Sequence, residues 1–271
     1  EIPLRLVGSE MCIRDRKKCG GLGLRIFERI GMETEFIRIN KFLSEAGVCS
    51  RRGADRLVEE GRVTIDGKVA VLGDQILPGQ KVLVDGREVQ REDEKILLAF
   101  HKPKGIVCTA EKREKNNIID YLHYPKRIYP VGRLDKDSEG LILLTNDGEL
   151  GNEILRARNF HEKEYIVTVN RPVTDEFLRG MAGGVPILDT ITRKCKVEKL
   201  DKRKFRIVLT QGLNRQIRRM CEYFGYRVVK LVRVRIMNIK LGNLPVGKYR
   251  DLTHQEWEGL LALLSESGKE E

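Results

Sequence analysis

The sequence predicts an α+β protein of two domains, the first small and built on a helix pair with β-hairpins, the second a mixed or antiparallel sheet carrying helices. Three observations lead there. At roughly 150 residues per domain, 271 residues suggest two cores. Strand-like runs follow one another instead of alternating with helices, which disfavours a doubly wound parallel sheet. A charged stretch, Glu88–Lys95, separates a short α-then-β pattern from everything after it. These boundaries give a first domain over 36–93 and a second over 94–265, with a leader at 1–35 and an acidic tail at 266–271.

The leader contains neither a capped helix nor an alternating strand. It has no secretory signal, because acids interrupt it and no clean apolar core precedes a cleavage site. Met11–Arg16 resembles the translation of a sequencing-library adapter, so native translation is expected to begin near Met32. The first domain opens with Ile39, Phe42, Leu43 and Ala46, spaced as one apolar helix face, and Gly47 ends it. Ser50 caps a second helix whose inward residues are Ala54, Leu57 and Val58, with Gly61 at its end. Short β-like runs follow at Val63–Ile65, Lys68–Val71 and Lys81–Val84. Asp66-Gly67 and Asp85-Gly86 punctuate them as hairpin turns. The polar face of the helix pair carries Lys41, Arg51, Arg52, Arg56 and Arg62.

In the second domain, strands are predicted at Ile96–Phe100, Leu141–Thr145, Tyr165–Val169, Phe205–Thr210, Val228–Ile239 and Lys248–Leu252. Helices are predicted near Leu150–Arg156, Thr174–Met181, Asn214–Phe224 and Gln255–Leu264. No apolar run approaches the roughly 18 residues needed to span a bilayer, and 34% of residues are charged, so no membrane partner is expected. Six cysteines (Cys12, Cys19, Cys49, Cys108, Cys195, Cys221) form no C-x-x-C pair, which points to reduced thiols in the cytoplasm. Four scattered histidines offer no metal-binding pair, and neither a P-loop nor a GxSxG motif is present. Asp135, Asp137, Glu139 and Gly140 mimic the start of an EF-hand loop. Position 12 of that loop is Asn146 instead of the bidentate glutamate, and calcium binding is disfavoured.

The net charge is +11, and nearly all of the excess sits in one segment. Between Lys202 and Arg235 lie eleven Lys and Arg against the single acid Glu222. A stripe of that density is the electrostatic footprint of a nucleic-acid protein, the competing reading being a solvated face. Arg215, Arg219 and Arg233 are its expected phosphate contacts. On a helix starting at Asn214, Arg215 and Arg219 share a face while Arg218 points about 60° away. Upstream, Gly132-Arg133-Leu134-Asp135 presents a carboxylate on a loop just before a buried strand. A carboxylate there is a nucleophile candidate if a nearby cation keeps it ionised and aimed.

Two resemblances attach to these residues. Arg38-Ile39-Asn40-Lys41-Phe42-Leu43, Ser50-Arg51-Arg52-Gly53-Ala54-Asp55 and Gly61-Arg62-Val63 resemble the S4 RNA-binding domain. Gly132-Arg133-Leu134-Asp135 with Gly140-Leu141, Lys163-Glu164-Tyr165, and Gly212–Met220 resemble the ordered motifs of RsuA-family RNA pseudouridine synthases. His161–Tyr165 and Cys221–Tyr226 look most like the family's RluF type, which acts on large-subunit ribosomal RNA. The resemblance implies a cofactor-free isomerase acting as a monomer on RNA, 23S ribosomal RNA first and tRNA as a second candidate. It implies Asp135 as nucleophile, Arg218 as its ionic partner and Tyr165 against the base. Arg133 would fill the gap left by a flipped uridine. The competing reading from another class is a non-catalytic RNA-binding or ribosome-assembly factor on the same module. It would keep the basic residues but give Asp135 no reason to stand between Arg133 and Gly140.

Overall fold

The structure, a computed structural model, describes residues 36–91, 94–111, 113–156 and 160–267. The predicted leader at 1–35 and residues 268–271 of the predicted tail lie outside them. The chain divides into two compact units, one ending and the next beginning at residues 92 and 93.

In the first unit, helices α1 (Ile39–Glu45) and α2 (Arg51–Glu59) pack through Ile39, Leu43, Ala54 and Val58, all buried. Ser50 Oγ accepts the Gly53 N–H at 3.1 Å, the cap expected from sequence. Strand β1 (Ile37–Arg38) pairs antiparallel with β4 (Gln75–Ile76). A four-stranded antiparallel sheet is formed by β2 (Val63–Ile65), β3 (Lys68–Val69), β5 (Val82–Val84) and β6 (Arg87–Val89), in the order β3-β2-β5-β6. Its two tight turns hold Asp66-Gly67 and Asp85-Gly86 at positive φ throughout, the geometry that selects Asp-Gly in a two-residue hairpin.

The second unit is organised by a nine-stranded mixed sheet. Its continuous path runs β13 (Lys196–Asp201), β14 (Lys204–Leu209), β10 (Lys163–Val169), β15 (Val228–Ile236), β9 (Glu139–Thr145), β7 (Leu97–Lys102) and β17 (Tyr249–Asp251). Beside that path, β8 (Tyr129–Val131) pairs with β9, and β16 (Ile239–Lys240) with β15. Every pairing is antiparallel except β9 with β15, where Val232 lies opposite Glu139 and Arg233 opposite Gly140. Strand β9 is apolar on both faces and buried on both. Leu141 and Leu143 join the core under α4 (Gly148–Leu155) and α7 (His254–Ser267). Ile142 and Leu144 join the opposite core, together with Ile118 of α3 (Ile118–Leu122). A third core sets α5 (Asp175–Gly183) and α6 (Gln216–Tyr223) against β10 and β14.

Several expectations change. The run predicted as one strand over Val228–Ile239 breaks at Met237, whose φ of 50° turns the chain back into β16. Neither Gly nor Pro marks that turn, so composition gave no signal. Helix α3, capped by Asn117, was not predicted. The same holds for β8, β13 and the small hairpin of β11 (Pro186–Ile187) and β12 (Thr190–Ile191). All are short or polar, too little for an alternating or helical pattern to register, although each of these strands pairs with one nearby in the chain. The helix expected from Asn214 begins instead at Gln216, because Arg215 sits in the left-handed region at φ 50°.

Candidate active site

The loop from β8 to β9 carries Arg133 and Asp135, and the fold braces it from below. A Cβ on Gly140 would overlap the Arg233 backbone, so only glycine lets β15 run this close beside β9. Ser138 N–H donates to Asp135 O at 3.0 Å, closing a tight turn around the carboxylate. Gly105 N–H donates to Lys136 O at 2.8 Å, and Leu134 N–H donates to the buried Cys108 Sγ at 3.3 Å. Lys102, fully buried, gives its ammonium to Pro103 O at 2.8 Å and Ile106 O at 2.7 Å. These bonds hold the bracing turn, and burial pushes the amine below the ordinary lysine range. Sequence reading missed Lys102, since nothing in the letters distinguishes a buried lysine from a solvated one.

Asp135 opens into a cavity of about 410 Å3, within the usual range for a small-ligand pocket. Its side chain is 30% exposed and meets two guanidinium groups. Arg215 Nη1 lies 3.7 Å and Arg218 Nε 3.8 Å from Asp135 Oδ2. Arg218, whose side chain is 11% exposed, also donates through Nη2 to Asp137 O and Ser138 Oγ, each at 3.2 Å. Its buried Nε has no hydrogen-bond partner among the described residues and faces the carboxylate.

The expected pairing of Arg215 with Arg219 on one helical face is corrected. The left-handed kink at Arg215 takes it off the helix and points it, with Arg218, at Asp135. Arg219 turns back onto Asn214, donating to its backbone O at 3.2 Å. The helix itself follows its sequence pattern. Ile217, Met220 and Cys221 are buried at i, i+3 and i+4, leaving Arg218 and Arg219 on other faces.

Tyr165 of β10 lines the same cavity as Asp135. A register shift opposite Glu164 and Tyr165 leaves Val234 unopposed, a bulge on β15 between Arg235 and Arg233 that separates the directions of those two arginines. The Tyr165 ring packs against two of the unit's cores. The Arg233 guanidinium carbon stands over it at 6.0 Å from the centroid. Arg233 is 4% exposed and donates Nε to Leu141 O at 2.7 Å, so this cation lines the cavity from inside instead of lying on the surface. Lys163, two residues before Tyr165 on the same strand face, also lines the cavity. Burial, and then the Arg233 charge, push its amine down to about 8.

The first unit's candidates are arranged differently. Arg51, Arg52 and Arg56 are exposed on α2. Lys41 lies 3.7 Å from Glu45 one turn along α1. Arg62 is held by Asp85, with two bonds of 2.6 and 2.8 Å, and by Glu60 at 3.0 Å. A phosphate reaching Arg62 must displace carboxylates first.

Among the described residues no cluster of three or more His, Cys, Asp or Glu could hold a metal, and no helix is long and apolar enough to cross a membrane. The carboxylate, the paired guanidinium groups and the tyrosine at one cavity define an RNA-modifying class when set beside known families. Residues 96–223 match the RNA pseudouridylate synthase model, and residues 37–82 match the S4 domain model.

The dual-specificity RNA pseudouridine synthase RluF of Salmonella typhi is 58% identical, over 86% of this chain and 81% of the relative. Ribosomal large subunit pseudouridine synthase B of Bacillus subtilis is 36% identical, over 83% and 96%. A crystal structure of a pseudouridylate synthase superposes with a TM-score of 0.62 at 30% identity, over 83% of this chain and 99% of the other. The chain belongs to the RsuA family of RNA pseudouridine synthases, and its relatives at 56–58% identity are of the RluF type.

Proposed function

We propose that this chain isomerises uridine to pseudouridine in large-subunit (23S) ribosomal RNA, with a tRNA loop as second substrate, and that Asp135 is the nucleophile. The observation that carries the reading is Asp135 lying 3.7 and 3.8 Å from two arginines in a cavity that Tyr165 also lines. The relatives' dual specificity supports the pairing of substrates. The S4 match and the exposed arginines of α2 support a structured RNA as the partner.

The chemistry suits these residues. The N1–C1′ bond breaks, the uracil turns, C5 bonds to C1′, the C5 proton leaves, and the freed N1 takes up a proton. No atom is gained and no redox change occurs. Attack at either centre, C1′ of the sugar or C6 of the base, uses the same carboxylate. Arg218 and Arg215 direct Asp135, their guanidinium groups standing 3.8 and 3.7 Å from its Oδ2. Tyr165 is the residue to lie against the base and the candidate to help remove the C5 proton. Arg133, exposed at the cavity mouth, takes the space the uridine vacates. Flipping costs a few kcal/mol and least where pairing is already weak, so loops and frayed helices are the favoured targets.

The test is tritium release from RNA labelled at uridine C5, combined with mapping of pseudouridines in ribosomal RNA and tRNA from cells with and without the gene. Release by the wild type, and sites that vanish with the gene, support the reading. RNA binding without release would instead favour the binding-factor reading.

A further inference from the structure

At the rim of the cavity two residues stand out, and neither belongs to the motifs above. Phe160 is 56% exposed and adopts a left-handed backbone with φ 51°. For a bulky side chain that conformation is an outlier. Exposing an aromatic ring and holding it in a strained backbone both oppose stability, and such residues concentrate where a ligand is held. The backbone beside it is anchored, since the buried His161 makes a 3.0 Å bond from Nδ1 to Ile154 O at the end of α4. Over the ring of Phe160 lies the Arg193 guanidinium, 4.2 Å from the centroid.

Arg193 reaches it from the end of the neighbouring strand. Its N–H donates to Gln211 Oε1 at 2.8 Å and its Nη1 to Thr210 O at 3.4 Å. Thr210 and Gln211 follow β14 just as Phe160 precedes β10, and Lys163 of β10 lies opposite Leu209 of β14. Lys163, Leu209, Thr210 and Gln211 all line the cavity, so the pair adjoins it at this end of the two strands. A planar aromatic ring with a planar cation is the combination that stacks nucleobases without regard to sequence.

We propose that Phe160 and Arg193 form a nucleobase-stacking subsite, which takes an unpaired RNA base adjoining the uridine bound at Asp135. The inference rests on the reading of the cavity as a uridine site and adds a second point of contact to it. The ligand is a base of the same RNA strand. Its stacking offsets the unstacking required when the uridine leaves its helix or loop.

The strained backbone gives a test that a merely structural role would fail. Phe160→Asn suits the left-handed conformation and removes the ring, so its melting temperature should equal or exceed the wild type's. Its affinity for RNA should fall at least about fivefold, the low end of what one stacked base loses on truncation. Phe160→Trp should retain wild-type affinity. The probe is a short single-stranded RNA with one central uridine flanked on both sides by 2-aminopurine, whose fluorescence reports stacking. Quenching by wild type and Phe160→Trp, lost in Phe160→Asn and reduced in Arg193→Ala, is the expected result.

Equal affinity and quenching in wild type and Phe160→Asn, or no quenching in the wild type, would overturn the subsite. Tritium release, measured in parallel, reads the catalytic assignment separately. A wild type that stacks the probe yet releases no tritium from C5-labelled ribosomal RNA would overturn the enzymatic reading and leave the stacking site standing.

Discussion

The cations of the Asp135 cavity and those of the S4 unit are the same residue type in different physical surroundings. On α2, Arg51, Arg52 and Arg56 come from six consecutive positions and point into solvent. In the cavity, Arg215 and Arg218 meet a carboxylate some eighty residues earlier in the chain, and Arg233 is buried against β9. Water screens the first group, so each arginine acts as an independent charge worth a fraction of a kcal/mol to the fold. Protein largely encloses Arg218 and Arg233 while Arg215 beside them stays 41% exposed, and the three charges act on one another and on whatever enters. On the proposed function, the solvated set gives affinity and the enclosed set reactivity.

The contrast breaks most visibly at Asp135. Asp135→Asn keeps the shape and loses the nucleophile, so product formation should fall by about three orders of magnitude or more while filter binding of RNA is unchanged. Wild-type release by that variant would remove the carboxylate from the mechanism. Next in size is Arg218→Ala. It should lower kcat by about a hundredfold, the scale of one aligned charged partner, with little change in KM. Recovery of full turnover at high RNA would mean that Arg218 binds only phosphate.

Lys163 tests whether desolvation operates on the cavity cations. Because its amine sits near 8, it is charged at pH 7 and neutral by pH 9, so kcat/KM should decline as pH rises through about 8. Lys163→Arg, charged throughout, should lack that step. The same depression makes folding favour the neutral amine, so stability should rise between about pH 8 and the ordinary lysine range near 10.4. An unchanged profile in Lys163→Arg would show that the step belongs to another group. The smallest effect on turnover is expected from converting Arg51, Arg52 and Arg56 together to Ala. The salt dependence of RNA binding should flatten by about 0.7 to 0.9 per lost contact while kcat holds. A fall in kcat at saturating RNA would mean that the two sets of cations are not separable in function.

Resemblance to family motifs, not local chemistry, singled out Asp135, Tyr165 and Arg218 together. Local chemistry in the sequence was enough to determine the helix pair and its Ser50 cap, the Asp-Gly hairpins, and the apolar strand leading from Gly140. Each depends on residues within a few positions of one another, which is the range over which periodicity, capping and turn preference operate. Only the tertiary structure decided that Arg215 leaves its helix to join Arg218 at Asp135, and that Arg219 turns away. It also decided that Lys102, Lys163 and Arg233 lose their water, and that Phe160 meets Arg193 at the cavity rim. Those outcomes depend on the parallel contact of β9 with β15, on one left-handed residue before α6, and on how much solvent the assembled sheet excludes. A side chain's charge is written in its own letter, but its dielectric surroundings are supplied by residues far away in the chain.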